Sequence, residues 1–374
     1  MSTTALHTGG AMEGPRSPES HEWTRLVDFL NANLRQNEQW PITSEYPTAL
    51  TANNIHNMSI ITEDEKIIAH AVLKTLIVKT PHAVFKVGAI GSVITHPEHR
   101  QKGYSRKNIE KCIELAQKQE CDLVILWTDQ FDFYRKMGFE LAGFDYNYLL
   151  EKSEPVKNNQ LRFVSGNNVD PEALQRLYSQ HTVHAVRSTE DFRQFLKIPN
   201  THLFTAWNQN NQLLAYAAEG KGADLTNYVH EWAGQVDVLM DLFRYIRNQK
   251  NETLTVMVPS HSQNMRRHLE QGATLAHQGF LGMLKIVNTD ALLAKIKKAF
   301  RAEGFDKIVL EKQESHFVFG FGTDLYTLEH ESDLVQLLFG PMNINSLSFV
   351  SDDTRYKLSA LLPMPLWVWG WDSI

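Results

Sequence analysis

His96-Pro97-Glu98-His99-Arg100-Gln101-Lys102-Gly103-Tyr104-Ser105 lies between a strand-like run over residues 83–95 and a helix-like run over 105–119. Pro97 marks the strand's end, because proline cannot donate to a central ladder. In the helix, Ile109, Cys112, Ile113 and Ala116 recur at i, i+3, i+4 and i+7, which buries one face. Its first turn therefore aims free backbone N–H groups back at the loop. Together with the helix dipole they make an anion site. Gly103 has no Cβ to keep a phosphate off the backbone. Arg106 and Lys107 oppose the dipole in the first turn, a choice that makes sense beside a polyanion. The stretch has one of the three glycines of a dinucleotide fingerprint, and no Gly-Lys-Ser/Thr of a Walker loop.

Around this turn, 374 residues with 43% hydrophobic and 21% charged content suffice for two or three domains with real cores. A net charge of -6 argues against a nucleic-acid partner, which asks for a basic footprint. Two cysteines, Cys112 and Cys121, are too few for a disulfide framework and read as free thiols in a reducing cytoplasm. Residues 1–20 show no signal-peptide pattern and read as a loose tail. The most apolar late stretch, 361–371, is short and broken by Pro363 and Pro365, so no membrane span is expected.

The pattern suggests three segments. Residues 21–152 give a helix carrying Trp23, Leu26, Val27, Leu30 and Leu34, three strands, the opening turn, its helix, a strand at 123–126, a short helix near 131–137 and a closing strand at 144–149. A polar linker, 151–160, follows. Residues 160–288 repeat the rhythm, with 268–273 standing where Tyr134-Arg135-Lys136-Met137-Gly138-Phe139 stands in the first segment. Between strand and helix this copy has only Ala233-Gly234-Gln235-Val236-Asp237, with no basic glycine turn, so it reads as a non-catalytic scaffold. The third segment, 289–374, has a helix ended by Gly304, two strands, a helix stopped at Gly340-Pro341, and an aromatic terminus with Trp367, Trp369 and Trp371.

Arg100, Gln101, Lys102, Gly103, Tyr104 and Ser105 resemble motif A of the GNAT family of N-acetyltransferases, Gln/Arg-x-x-Gly-x-Gly/Ala, with Ser105 at the last small position. The resemblance implies acetyl-CoA as acyl donor and no metal. Backbone groups of Val93, Ile94 and Thr95 would take the pantetheine arm, and those from Arg100 to Ser105 the pyrophosphate. Phe133-Tyr134-Arg135-Lys136-Met137-Gly138-Phe139 is similar to motif B, whose tyrosine lies near the thioester sulfur. A phenol with pKa about 10 is protonated at neutral pH, and Tyr134 is the implied general acid; packing beside Phe133 and Phe139 is its bland alternative.

The three-part layout resembles the Eis (enhanced intracellular survival) proteins. That implies an α/β (α+β) architecture: tandem GNAT folds, each a mixed central sheet flanked by helices, and a C-terminal domain like a sterol carrier protein. Many GNAT proteins place a glutamate on the strand before motif A, but Phe85-Lys86-Val87-Gly88-Ala89-Ile90-Gly91-Ser92-Val93 carries no carboxylate. In Eis proteins the chain's own terminal carboxylate acts as base, which here implies the carboxylate of Ile374. Burial against Trp367, Trp369 and Trp371 would raise its pKa from about 3.5; alternatively those rings pack the third domain and leave the carboxylate in water.

The implied activity is acetyl transfer by direct attack of a primary amine: an aminoglycoside or polyamine, a lysine side chain or a small metabolite. The alternatives are a non-catalytic acyl-CoA-binding or regulatory protein and a transferase of longer acyl chains. No nucleic acid or membrane partner is expected, the location is cytoplasmic, and self-association is left open. His96 and His99 are discounted as a zinc pair for want of a third ligand. Trp23, Phe29 and Trp40 read as core rather than acceptor pocket.

Overall fold

A computed structural model describes residues 11–374. The chain divides into two compact units: the first holds the described residues up to Lys74, Ile90–Gln119 and Ile374, and the second holds Thr75–Ala89 and Glu120–Ser373.

In the first unit, strand Met58–Glu63 pairs antiparallel with the start of strand Lys66–Lys79. The hairpin turns at Asp64 and Glu65, both with positive φ (47° and 64°), the primed-turn geometry that suits a twisted hairpin. Side chains alternate faces along Met58–Glu63. Met58 and Ile60 join Leu26, Phe29, Leu30, Ile42, Leu50, Ile67 and Val72 in one cluster, which takes the apolar stripe of helix Trp23–Leu34. Ser59 and Ile61 face the other way, where the Ser59 hydroxyl donates to Oδ1 of buried Asn108 (2.8 Å) on helix Tyr104–Lys118. The sequence stripe of this helix holds at Ile109, Cys112 and Ala116, with Asn108 as an added buried member.

The loose tail expected over 1–20 lies outside the described residues up to position 10; beyond it the expectation is corrected. Met12–Arg16 is an edge strand on Met58–Glu63. Gly14 permits the close approach: its φ is +106°, and a Cβ there would meet the Ile60 carbonyl oxygen at 2.4 Å. The Arg16 guanidinium then pairs with buried Glu22 (2.7 Å) and holds the Glu22 carboxyl down at about 2.

In the second unit, strand Leu123–Leu126 pairs parallel with residues 87–89. Its other edge takes Gly282–Ile286, antiparallel, and Gly282–Ile286 in turn takes Glu140–Ala142. A second mixed sheet runs in the order Thr274–Gly279, Asp145–Leu150, Leu254–Pro259, Asp224–Gly234, Leu213–Lys221, His202–Trp207, Arg162–Ser165. The boundary read at 151–160 is therefore not a boundary between sheets. The strand expected to close the first segment, Asp145–Leu150, sits inside the second sheet between Leu254–Pro259 and Thr274–Gly279. Conversely Gly282–Ile286, from the end of the second segment, lies beside Leu123–Leu126. The two repeats have exchanged closing strands. The linker is tied down as well, since the Asp241 carboxylate accepts from the backbone N–H of Lys157 and Asn158 (both 3.0 Å).

The third segment builds an antiparallel meander, Ile308–Gln313, His316–Phe321 and Asp324–Leu328, with helices Thr289–Ala302, Glu331–Phe339 and Asp352–Ser359. Asn288 caps the first of these helices, its side chain accepting from Ala291 N–H (3.2 Å). Both sheet systems are mixed α/β layers, as expected. Among the described residues no helix is long and apolar enough to cross a membrane. Cys112 and Cys121 are buried and free.

Candidate active site

Strand Val84–Thr95 enters the site. Its parallel register with Leu123–Leu126 stops at Ala89↔Ile125, six residues before the strand ends at Thr95. Beyond that point the strand bulges: Ser92 has φ +48°, and the His70 ring bonds its carbonyl oxygen through Nδ1 (2.9 Å). His70 is wholly buried, and desolvation pushes its pKa down to about 4, so the ring is neutral and Nδ1–H donates. Val93 and Ile94 are half-buried and Thr95 is buried. The turn then runs through the short helix Pro97–His99 and reaches Gly103, whose φ of +79° caps helix Tyr104–Lys118. No side chain caps that helix start, so its first N–H groups keep no side-chain acceptor. A Cβ on Gly103 would meet nothing within 4 Å, so the space over the cap is open. Gln101 also takes a positive φ (64°), and Arg100, Gln101, Lys102 and Gly103 are exposed. The Ser105 and Thr95 hydroxyls share a 2.8 Å hydrogen bond, which ties the helix start to the strand end. Arg106 is less exceptional than its sequence position suggested, because its Nε donates to Glu110 one turn on (2.8 Å).

His96 and His99 gain the third group that the sequence did not reveal. Glu98 joins them, with one donor atom from each within 4.8 Å of the others. His99 Nε2 also lies 3.7 Å from Glu63.

Ile374 belongs to the same unit as the turn. Its side chain packs against the Leu26–Phe29–Met58 cluster, as do Ile94 and Trp23. Its carboxyl group lies on Gly91: a Cβ built there would fall 2.5 Å from the Ile374 carboxyl carbon and 2.7 Å from its oxygen. Thus Val93, Ile94, Thr95, the residues from Arg100 to Ser105, and Ile374 all lie in one unit. Phe29 is core, as read; Trp23 flanks it, and half-buried Trp40 donates its indole N–H to Glu45 (2.7 Å).

Tyr134 lies in the second unit, on helix Phe131–Arg135. It is 8% exposed, with Phe133 and Phe139 edge-on to its ring at 5.0 and 5.8 Å. Burial pushes its phenol up to about 12, which keeps the proton on the oxygen at neutral pH.

Sequence reasoning missed how the last residues are held. Trp369 and Trp371 pack on rings of the second segment. Trp371 stacks on Phe195 (5.6 Å) and Tyr216 (6.2 Å), and Trp369 lies 4.3 Å from the His181 ring and 5.1 Å from Trp232. Beneath them the buried Arg187 guanidinium pairs with Glu231 (2.6 Å) and Asp372 (2.8 Å). The Lys221 ammonium donates to the carbonyls of Gly370 (2.9 Å), Trp371 (3.4 Å) and Ser373. Gly370 has no room for a side chain, since a Cβ would fall 2.0 Å from His230. Arg187, Lys221 and Glu231 lie far apart in sequence and only the fold gathers them, so spacing carried no signal.

The second copy lacks the anion turn. Strand Asp224–Gly234 passes into helix Val236–Asn248 through Gln235 alone, where the first copy has eight residues, 96–103. Register between Asp224–Gly234 and Leu254–Pro259 ends at Val229↔Val256. Past it the Trp232 indole crosses to the Met257 carbonyl (3.0 Å). The space in which a sheet-like ligand arm could insert is thus bridged by the protein's own side chain. A cavity of about 750 Å³ in this unit is lined by Lys157, Asp241, Arg244 and His268 and by none of the candidate catalytic or cofactor-binding residues.

The sequence profile of the acetyltransferase (GNAT) domain matches residues 15–142. No curated protein matches the chain by sequence. By structure the chain is similar to a GCN5-related N-acetyltransferase from Anabaena variabilis (TM-score 0.69, 14% identity, 96% of this chain and 99% of that one). It is similar also to a probable N-acyltransferase from Enterococcus faecalis (TM-score 0.66, 12% identity, 96% and 98%). A third similar structure is Eis1 from Mycobacterium abscessus (TM-score 0.64, 10% identity, 97% and 100%). At these identities the structures speak for the fold, and the profile speaks for the acyltransferase class of the first segment. Residues 15–142 thus match the acetyltransferase (GNAT) domain, and the chain shares its fold with these three structures, Eis1 among them.

Proposed function

We propose that the chain is an N-acetyltransferase that moves the acetyl group of acetyl-CoA, bound as a substrate, to a primary amine by direct attack. The observation that carries this reading is the start of helix Tyr104–Lys118. It is capped by Gly103 with no side-chain acceptor and open space above, within the segment that matches the GNAT profile. Backbone N–H groups from Arg100 to Ser105 hold the pyrophosphate there. Strand backbone at Val93, Ile94 and Thr95, beyond the end of the parallel register, offers hydrogen bonds to the pantetheine amides. The Ile374 carboxylate takes the proton that the attacking amine loses as the N–C bond forms. An N–H near the end of Val84–Thr95 supports the oxyanion. As the C–S bond breaks, Tyr134 supplies the proton to the thiolate.

Tyr134→Phe is expected to lower kcat about 100-fold while leaving the Kd for CoA unchanged, read by thiol release across a panel of amines. A loss confined to the Kd would contradict the acid role. Extending the chain by one residue past Ile374 is expected to lower kcat by a similar factor, whereas an N-terminal tag should be neutral. Equal activity of the two would remove Ile374 from the chemistry. Binding of acetyl-CoA without turnover on any amine would make the chain a binding protein instead.

A further inference from the structure

We propose that Gly91 is a positioning residue whose missing side chain forms the seat of the Ile374 carboxylate; this rests on the base role given to that carboxylate above. The strand Phe85-Lys86-Val87-Gly88-Ala89-Ile90-Gly91-Ser92-Val93 offers no acid of its own. At Gly91 it offers a gap instead. The backbone there is not in the left-handed region, so conformation does not demand glycine. Space does. A Cβ would fall 2.5 Å from the carboxyl carbon of Ile374, 2.7 Å from its oxygen and 2.9 Å from its Cγ1. The closest of those contacts involve the short, stiff end of the chain rather than the tip of a flexible side chain, so they cannot be relieved cheaply.

Three further features keep the seat occupied. The next residue, Ser92, is held in its bulge by the buried His70 ring. The Ile374 side chain packs against the same apolar cluster as Ile94, the neighbour of that bulge. One residue earlier, Ser373 is held by Lys221 through its carbonyl and through its hydroxyl (3.3 Å). The carboxylate is thus fixed by its own side chain, by the residue before it and by the glycine beneath it. A charge delivered through the chain end stands where a strand acid would otherwise stand. It accepts one proton from the amine and forms no covalent bond.

The test is a double-mutant cycle on the full chain: the parent, Gly91→Ala, the parent with Ile374 converted to its carboxamide, and both changes together. The readouts are kcat with acetyl-CoA and an amine, the Kd for CoA, and the thermal melt. Each single change is expected to lower kcat roughly 100-fold, the scale of losing or misplacing a general base, with the Kd for CoA unchanged. The double variant should be no worse than either single one, because both changes remove the same interaction. If the carboxamide lowers kcat and Gly91→Ala does not, the base stands and the seat is overturned. If the carboxamide is fully active, the base role fails and the seat has nothing to position. A further 100-fold loss on combining them would mean that Gly91 acts on something else, which also overturns the proposal. Should Gly91→Ala not fold, deleting Ile374 from the same chain should restore the melt; no restoration would show that the clash is not with that residue.

Discussion

A chain ending at residue 152, where the sequence suggests that the first segment stops, is expected to be insoluble and inactive. Leu123, Val124 and Ile125 are fully buried, and one edge of their strand is completed only by Gly282–Ile286. That strand buries Met283, Leu284 and Ile286 and is also the partner of Glu140–Ala142. Three such side chains account for about 5–9 kcal/mol of burial, comparable to the whole net stability of a typical domain, about 5–15 kcal/mol. The same truncation leaves Asp145–Leu150 without either of its neighbours and uncovers Tyr148. Unpaired apolar edges of this kind aggregate. Soluble expression and a cooperative melt of the fragment decide the matter. A fragment that melts like the intact chain would mean that the exchanged strand is dispensable. Joining residues 280–288 through a flexible linker to a chain ending at 143 should recover solubility.

Acid is expected to unfold the protein well above the usual carboxylate range. His70 and His230 are fully buried, and desolvation lowers their pKa to about 4 and about 3. Both are neutral in the folded chain. Below pH 6.5 the unfolded chain takes up protons that the folded one refuses, so stability falls as pH drops from 6.5 toward those values. The full loss is about 3 kcal/mol for His70 and about 5 kcal/mol for His230, which together consume most of a typical margin. Glu22, held at about 2 by Arg16, adds to the loss below pH 4.5. Burial raises the carboxyls of Glu231 and Asp145, and these oppose it in part. Circular dichroism against pH should show a cooperative transition between about pH 6 and 4. Retention of native signal at pH 3.5 would contradict this.

Local pattern placed most elements. The stripe Trp23–Leu26–Leu30–Leu34 became helix Trp23–Leu34, and the apolar run at 123–126 became strand Leu123–Leu126. The turn was legible because its parts are contiguous: a strand-ending proline, a glycine and an amphipathic helix act on neighbours. Alternation at 144–149 likewise announced a strand, but period-two patterning says nothing of the partner, and that partner lies over a hundred residues away. Gly282–Ile286 escaped notice because five residues with Lys285 among them are too short to show a periodicity of their own. The glutamate missing from the strand was legible as an absence. That Gly91 leaves room for the chain's other end was not, since only the fold brings positions 91 and 374 together. The terminal rings Trp369 and Trp371 lie on Phe195, Tyr216 and Trp232 of the second segment, a placement that no local pattern announces.

The exchanged strands also set a clock on synthesis. Residues 123–126 and 140–142 leave the ribosome early, yet the strand that joins them is residues 282–286. At roughly 5–20 residues per second, the interval is about 7–30 s. Throughout it an apolar strand edge stands open on a nascent chain, within reach of chaperones and of neighbouring chains on the same message. The second sheet has all its strands once Thr274–Gly279 is made, and Leu123–Leu126 and Glu140–Ala142 are joined only when Gly282–Ile286 follows.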